Sequence, residues 1–179
     1  MYNMKATFLA IWMLLSTYSV TAWADGHPRW QMLPDGSIEW VTNKQLPHND
    51  HIEMSGKQVS VVLRYGVNES GAFVLNKSMI WPLLRTIPNN THASLMRRFD
   101  WNPLDVITLN GRTMAGEKVN KIRLKGMLTV ESSYDNGWYG QCKLIREYLP
   151  STELPALVEN YTLINTGKSP ISIEIPVME

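Results

Sequence analysis

The sequence holds one cysteine, Cys142, among 179 residues. A single cysteine excludes an intrachain disulfide and any zinc site built from paired cysteines. A surplus of either charge is missing too: 17 Lys and Arg stand against 16 Asp and Glu, a formal +1. Without a basic surplus there is no general attraction to nucleic acid or anionic lipid, so neither is an expected partner. No phosphate-cradling glycine loop, dinucleotide glycine pattern, Gly-x-Ser-x-Gly elbow or His-Glu-x-x-His pair occurs. That removes the sequence signatures of nucleotide enzymes, α/β hydrolases and zinc proteases. Internal repeats, low-complexity linkers and long amphipathic helices are lacking as well.

What is present begins at the amino terminus. Met1 to Lys5 is a short basic segment, Ala6 to Val20 is mostly apolar, and Ala22-Trp23-Ala24 places small residues where a signal peptidase reads. Residues 1–24 are therefore expected to be a removable export signal, and 25–179 one mature domain, periplasmic or secreted. The rival is a membrane anchor, but the apolar run falls short of the roughly 20 residues a spanning helix needs. No membrane span is expected after cleavage. Removing Lys5 leaves 16 basic residues against 16 acidic ones. A chain of this size buries roughly 68–70% of its unfolded surface, enough to fold without a metal or disulfide.

The mature region reads as strands and turns. Val59 to Tyr65 is β-branched and aromatic, Asn68 to Gly71 is turn-rich, and Phe73 to Leu75 resumes the pattern, so 58–80 is expected to form a hairpin. Ile122, Leu124, Leu128 and Val130 share one face of an expected half-buried strand, opposite Lys121, Arg123, Lys125 and Glu131. Asn160 to Ile164 reads as a strand, and the turn from Asn165 to Pro170 leads to another through Ile171, Ile173, Ile175 and Val177. Helix signals are few. Asn90 or Thr91 could cap a short helix through Leu95, Met96 and Phe99, residues that also alternate as a strand. Leu154 to Glu159 allows one or two helical turns at most, because Pro155 interrupts it. Short strands between turns, with little helix, predict an all-β antiparallel sandwich.

The densest polar cluster is His48, Asp50, His51 and Glu53. A strand starting at Asp50 would point Ile52 and Met54 inward and set His51 and Glu53 on the solvent face. Two ligand-type side chains fall short of the four that a metal site normally takes, so a hydrogen-bonding corner is the plainer reading and no metal is assigned. Cys142 shares an alternating face with Trp138 and Leu144, which reads as a buried, inert thiol. Trp138 and Tyr139 follow a turn and are the candidate carbohydrate-stacking pair; core packing is the commoner fate of such rings. Asp50, Glu53, Asp100 and Asp105 lie near turns, but no spacing selects a carboxylate pair for glycoside hydrolysis. No catalytic residue and no cofactor is assigned.

Three stretches, LPHNDHIEMSG (46–56), WPLLRTIPNNTHASL (81–95) and YTLINTGKSPISIEI (161–175), carry a resemblance. Over most of 30–177 the chain resembles the amino-terminal, supersandwich-like domain that precedes the helical barrel in exported six-hairpin, α-L-rhamnosidase-like glycoside hydrolases. The resemblance implies a non-catalytic sandwich packing on a barrel that carries the carboxylates. No helical barrel is encoded here, so no catalytic residue is transferred. The implied partners are a glycan or a missing barrel domain. The alternative is an independent periplasmic glycan-binding module.

Overall fold

A computed structural model describes residues 28–42, 46–81, 95–135 and 141–177. The strands in chain order are β1 (Gln31–Met32), β2 (Ile38–Val41), β3 (His48–Ser55), β4 (Ser60–Val67), β5 (Phe73–Trp81) and β6 (Leu95–Phe99). They continue as β7 (Thr108–Leu109), β8 (Arg112–Thr113), β9 (Glu117–Leu124), β10 (Leu128–Asp135), β11 (Gln141–Pro150), β12 (Leu157–Asn165) and β13 (Ile173–Glu174). A single 3-10 turn at Pro103–Asp105 is the only helical element among the described residues. Every strand pairing is antiparallel.

The strands form a six-stranded sheet, β1-β2-β9-β10-β11-β12, a four-stranded sheet, β3-β4-β5-β6, and a small sheet, β13-β7-β8. One face of the six-stranded sheet is covered by both others. Toward the four-stranded sheet, Trp40, Ile122, Leu128, Val130 and Tyr148 pack with Leu63, Tyr65 and Val67. Toward the small sheet, Tyr134, Cys142 and Leu144 pack with Leu104 and Leu109. The architecture is the expected all-β sandwich, held by apolar rows that recur every second residue.

The expected hairpin at 58–80 is present as β4 and β5, joined by a loop in which Gly71 has φ +84°. The strand expected at 121–131 is instead two strands. Gly126 adopts φ +69° and Lys125 N–H donates to the Met127 carbonyl (3.1 Å), which turns the chain between β9 and β10. Leu124 then sits opposite Leu128 and Ile122 opposite Val130, so the four residues still share a face, but across a ladder. Leu154 to Glu159 holds no helical turn. The Ser151 hydroxyl accepts the Leu154 N–H (3.0 Å), and β12 starts at Leu157.

The strand expected through Ile171 to Val177 shrinks to Ile173–Glu174. Pro170 and Pro176 flank it and supply no backbone donors, while Ile171 tucks against the Leu104 and Leu109 cluster. Ile175 and Val177 are left exposed. Leu95 to Phe99 takes the strand alternative as β6; Asn90 and Thr91 lie outside the described residues. So does the 1–24 segment. No helix among the described residues is long and apolar enough to cross a membrane.

Candidate functional site

The inward row of β11 runs Cys142, Leu144, Arg146, Tyr148, and that of β5 runs Phe73, Leu75, Lys77, Met79. Each apolar row contains one cation. Arg146 is 3% exposed and Lys77 5%. Burying an ion costs several kcal/mol unless it is paired and hydrogen-bonded, and both are. Arg146 Nη1 meets Glu117 Oε1 at 2.5 Å and also donates to Ser132 Oγ (3.0 Å). Its Nη2 donates to the Tyr134 hydroxyl (3.3 Å), and the guanidinium lies over the Phe73 ring at 5.2 Å. Lys77 Nζ donates to Glu159 Oε1 at 2.7 Å.

The remaining carboxylate oxygens are occupied too. Glu117 Oε2 accepts the Phe73 backbone N–H (3.3 Å), and Glu159 Oε2 accepts the Tyr161 hydroxyl (2.6 Å). Burial works to lower the Arg146 pKa, but hydrogen bonding and attraction from Glu117 outweigh it and the net shift is upward. Burial is also the main cause of raised phenol values. Tyr148 is pushed up to about 12, and Tyr134 and Tyr161 rise further. These phenols stay protonated as donors at neutral pH.

This network borders a cavity of about 390 Å³. Phe73, Tyr148 and Tyr161 form a continuous aromatic wall, with ring centroids 6.3 Å apart in each successive pair. The exposed lining of the cavity comes from the segment between β6 and β7, from Thr113 at the end of β8, and from Ala115 and Gly116 between β8 and β9. Asn102 Oδ1 accepts the Leu104 N–H (3.3 Å) and caps the 3-10 turn, while Leu104 anchors it in the core. Asp100, Trp101 and Asp105 are thereby held at the rim, with Trp101 54% exposed. Asp100 pairs with Arg98 (3.0 Å), and Asp105 accepts from Asn102 Nδ2 (2.9 Å). An aromatic wall, fixed polar donors and an exposed aromatic residue make this cavity the candidate site.

The His48 cluster is separate. β3 begins at His48, so His48 and Asp50 turn inward and His51 and Glu53 outward. Arg29 Nη1 lies 3.1 Å from His48 Nε2, and Trp30 Nε1 donates to Asp50 Oδ2 (3.3 Å). Arg29 also lies over Trp40 at 5.4 Å, and the His48 ring packs edge-on against the same indole. The four residues thus split between a hydrogen-bonded corner and the solvent face. Groups of three or more metal-ligating side chains are absent among the described residues. Cys142 is 1% exposed and burial pushes its thiol pKa up. Trp138 and Tyr139 lie outside the described residues.

The outer face of the six-stranded sheet carries opposite charges in a lattice. Lys121 bridges Glu39 (3.5 Å) and Glu131 (3.1 Å), Lys143 also meets Glu131, and Asp35 pairs with Arg123 and Lys125. Exposed pairs of this kind contribute little stability each and make an ordinary solvated surface.

Sequence reasoning weighed Asp100 and Asp105 but missed the cavity behind them. A usable signal was Arg146, a charged residue at an inward position between Leu144 and Tyr148. The chain matches no family model, no curated protein and no solved structure.

Proposed function

We propose that the chain is a non-catalytic β-sandwich module of an exported carbohydrate-active glycoside hydrolase, and that its inter-sheet cavity holds part of a glycan. The observation carrying this reading is the cavity beside Arg146 and Lys77, with the exposed Trp101 ring at its mouth. A sugar presents hydroxyls to fixed donors and acceptors and an apolar face to an aromatic ring. Glu117 and Glu159 are committed to Arg146 and Lys77, so neither stands as an uncommitted acid or base across a scissile bond. The resemblance at 46–56, 81–95 and 161–175 supports the carbohydrate context.

The test is calorimetric titration of the chain with oligosaccharides, beside its Trp101→Ala variant and release assays on aryl glycosides. Binding that weakens about tenfold without the Trp101 ring, with no sugar release, is the expected result. Turnover abolished by changing one Asp or Glu would replace this reading with an enzymatic one.

The exposed Ile173, Ile175 and Val177 favour a version in which a helical-barrel domain covers the carboxyl-terminal segment. Without such a partner, the same module acts as an independent periplasmic glycan binder. A continuing downstream frame encoding paired amphipathic helices would favour the first version over the second.

A further inference from the structure

We infer that the cavity selects neutral saccharides and rejects uronic acids and other acidic sugars; this rests on the glycan-holding reading of the same cavity. Two buried cations in a wall suggest an anion site at first sight, but their charge is already cancelled. Glu117 and Glu159 lie at 2.5 and 2.7 Å from Arg146 and Lys77, and all four of their carboxylate oxygens hold hydrogen bonds within the protein. Displacing either glutamate would leave a desolvated carboxylate without its partner.

The rim adds charge of the opposite kind. Asp100 and Asp105 stand at the mouth, and Arg98, paired with Asp100, offsets only one of them. Among the described residues, the cavity with its rim therefore carries no positive surplus. An entering carboxylate would pass two like charges and find no uncommitted cation among the described lining residues. It would lose hydration without an ionic partner, a cost that a hydroxymethyl group at the same ring position does not meet. Neutral hydroxyls fit what is there: Lys77 has three N–H donors, of which Glu159 takes one, and the tyrosine rings and Trp101 offer faces to C–H surfaces.

The experiment compares matched probes that differ at one carbon: oligosaccharides of galactose against those of galacturonic acid, and of glucose against those of glucuronic acid. Each is titrated into the full chain at low and high salt. The expected result is binding of at least one neutral member, at least tenfold tighter than its acidic twin at low salt, with the gap narrowing as salt screens the rim. Asp100→Asn with Asp105→Asn, both at exposed rim positions, should narrow the gap, read as the ratio of neutral to acidic affinity within that variant. Acidic members binding as tightly as neutral ones would overturn the selectivity while leaving the glycan-holding reading in place. Failure of every saccharide to bind would overturn both.

Discussion

Arg146 and Glu117 close an ion pair across the width of three strands. One residue lies on β11 and the other on β9, and β10 runs between them and contributes Ser132 to the same guanidinium. The pair therefore ties the centre of the large sheet together from its buried side. It also fixes Phe73, whose backbone N–H donates to Glu117 and whose ring lies against Arg146.

Removing one partner of this pair should be far worse than removing both. Glu117→Ala is expected to cost about 3–5 kcal/mol, because it leaves an uncompensated buried charge. Glu117→Leu combined with Arg146→Met should recover most of that loss. Urea denaturation of the single and double variants measures the difference. Equal losses in both would mean that the pair contributes only as packing.

Gly66 on β4 sits where the backbone of β3 approaches closely. A Cβ built there would lie 2.2 Å from Asn49 Oδ1 and 2.3 Å from the His48 carbonyl oxygen. The carbonyl belongs to the ladder and cannot move aside cheaply. Gly66→Ala should destabilise by about 1–3 kcal/mol or more, visible as a lowered midpoint in thermal melts. Gly36→Ala gives a useful contrast: φ is +80°, yet no atom lies within 4 Å of its Cβ, so the cost there is backbone strain alone.

His48 predicts a loss of stability on the acid side of neutrality. Burial first, and the Arg29 charge second, hold its ring below the usual histidine value, while Asp50 pulls weakly the other way. The unfolded chain then binds this proton more readily than the folded chain. The contribution is complete above about pH 6.5 and is lost as pH falls through the lowered folded value. Denaturation midpoints of the parent and of His48→Gln, followed from pH 7.5 to 5, provide the check. The parent should lose more; parallel curves would show that folding does not lower the His48 value.

Cys142 should resist thiol reagents while the chain is folded. It is 1% exposed and its pKa is raised by burial, so both access and thiolate fraction are low. A chromogenic disulfide reagent should label it only after denaturant is added. Rapid labelling of the native chain would contradict its place beside Leu144 and Tyr134.

Alternation carried most of the fold, as at β4, where Val61, Leu63 and Tyr65 point inward in turn. It carried less at 121–131, because Leu124 and Leu128 keep the same phase whether the chain continues straight or doubles back at Gly126. The hairpin of β7 and β8 was not read from the sequence, although its turn residues carry a local signal. Asn110 and Gly111 both take positive φ there, which that pair of residues favours in a two-residue turn. The cavity was not legible as a whole. Lys77, Glu117, Arg146 and Glu159 come from four strands, and their pairing depends on how the sheets face one another, which no local pattern states. The misplaced charges of Arg146 and Lys77, each inside an apolar inward row, were the local signals.

One irregularity in β9 decides whether the Arg146 charge is ever neutralised. Lys121 pairs with Glu131 while Val119 pairs with the next residue, Ser132, so Asn120 is an extra residue in the ladder. Thr42 holds it there: its N–H donates to the Asn120 carbonyl (3.0 Å) and its hydroxyl to the Val119 carbonyl, and Ser133 Oγ donates to Asn120 Oδ1 (3.2 Å). A regular strand through Asn120 would reverse the parity of everything before it. Val119 would turn to solvent, and Glu117 would point away from Arg146. The bulge thus works as a phase shifter: Thr42, on a different strand edge and far along the sequence, sets which side of the sheet receives the counter-charge.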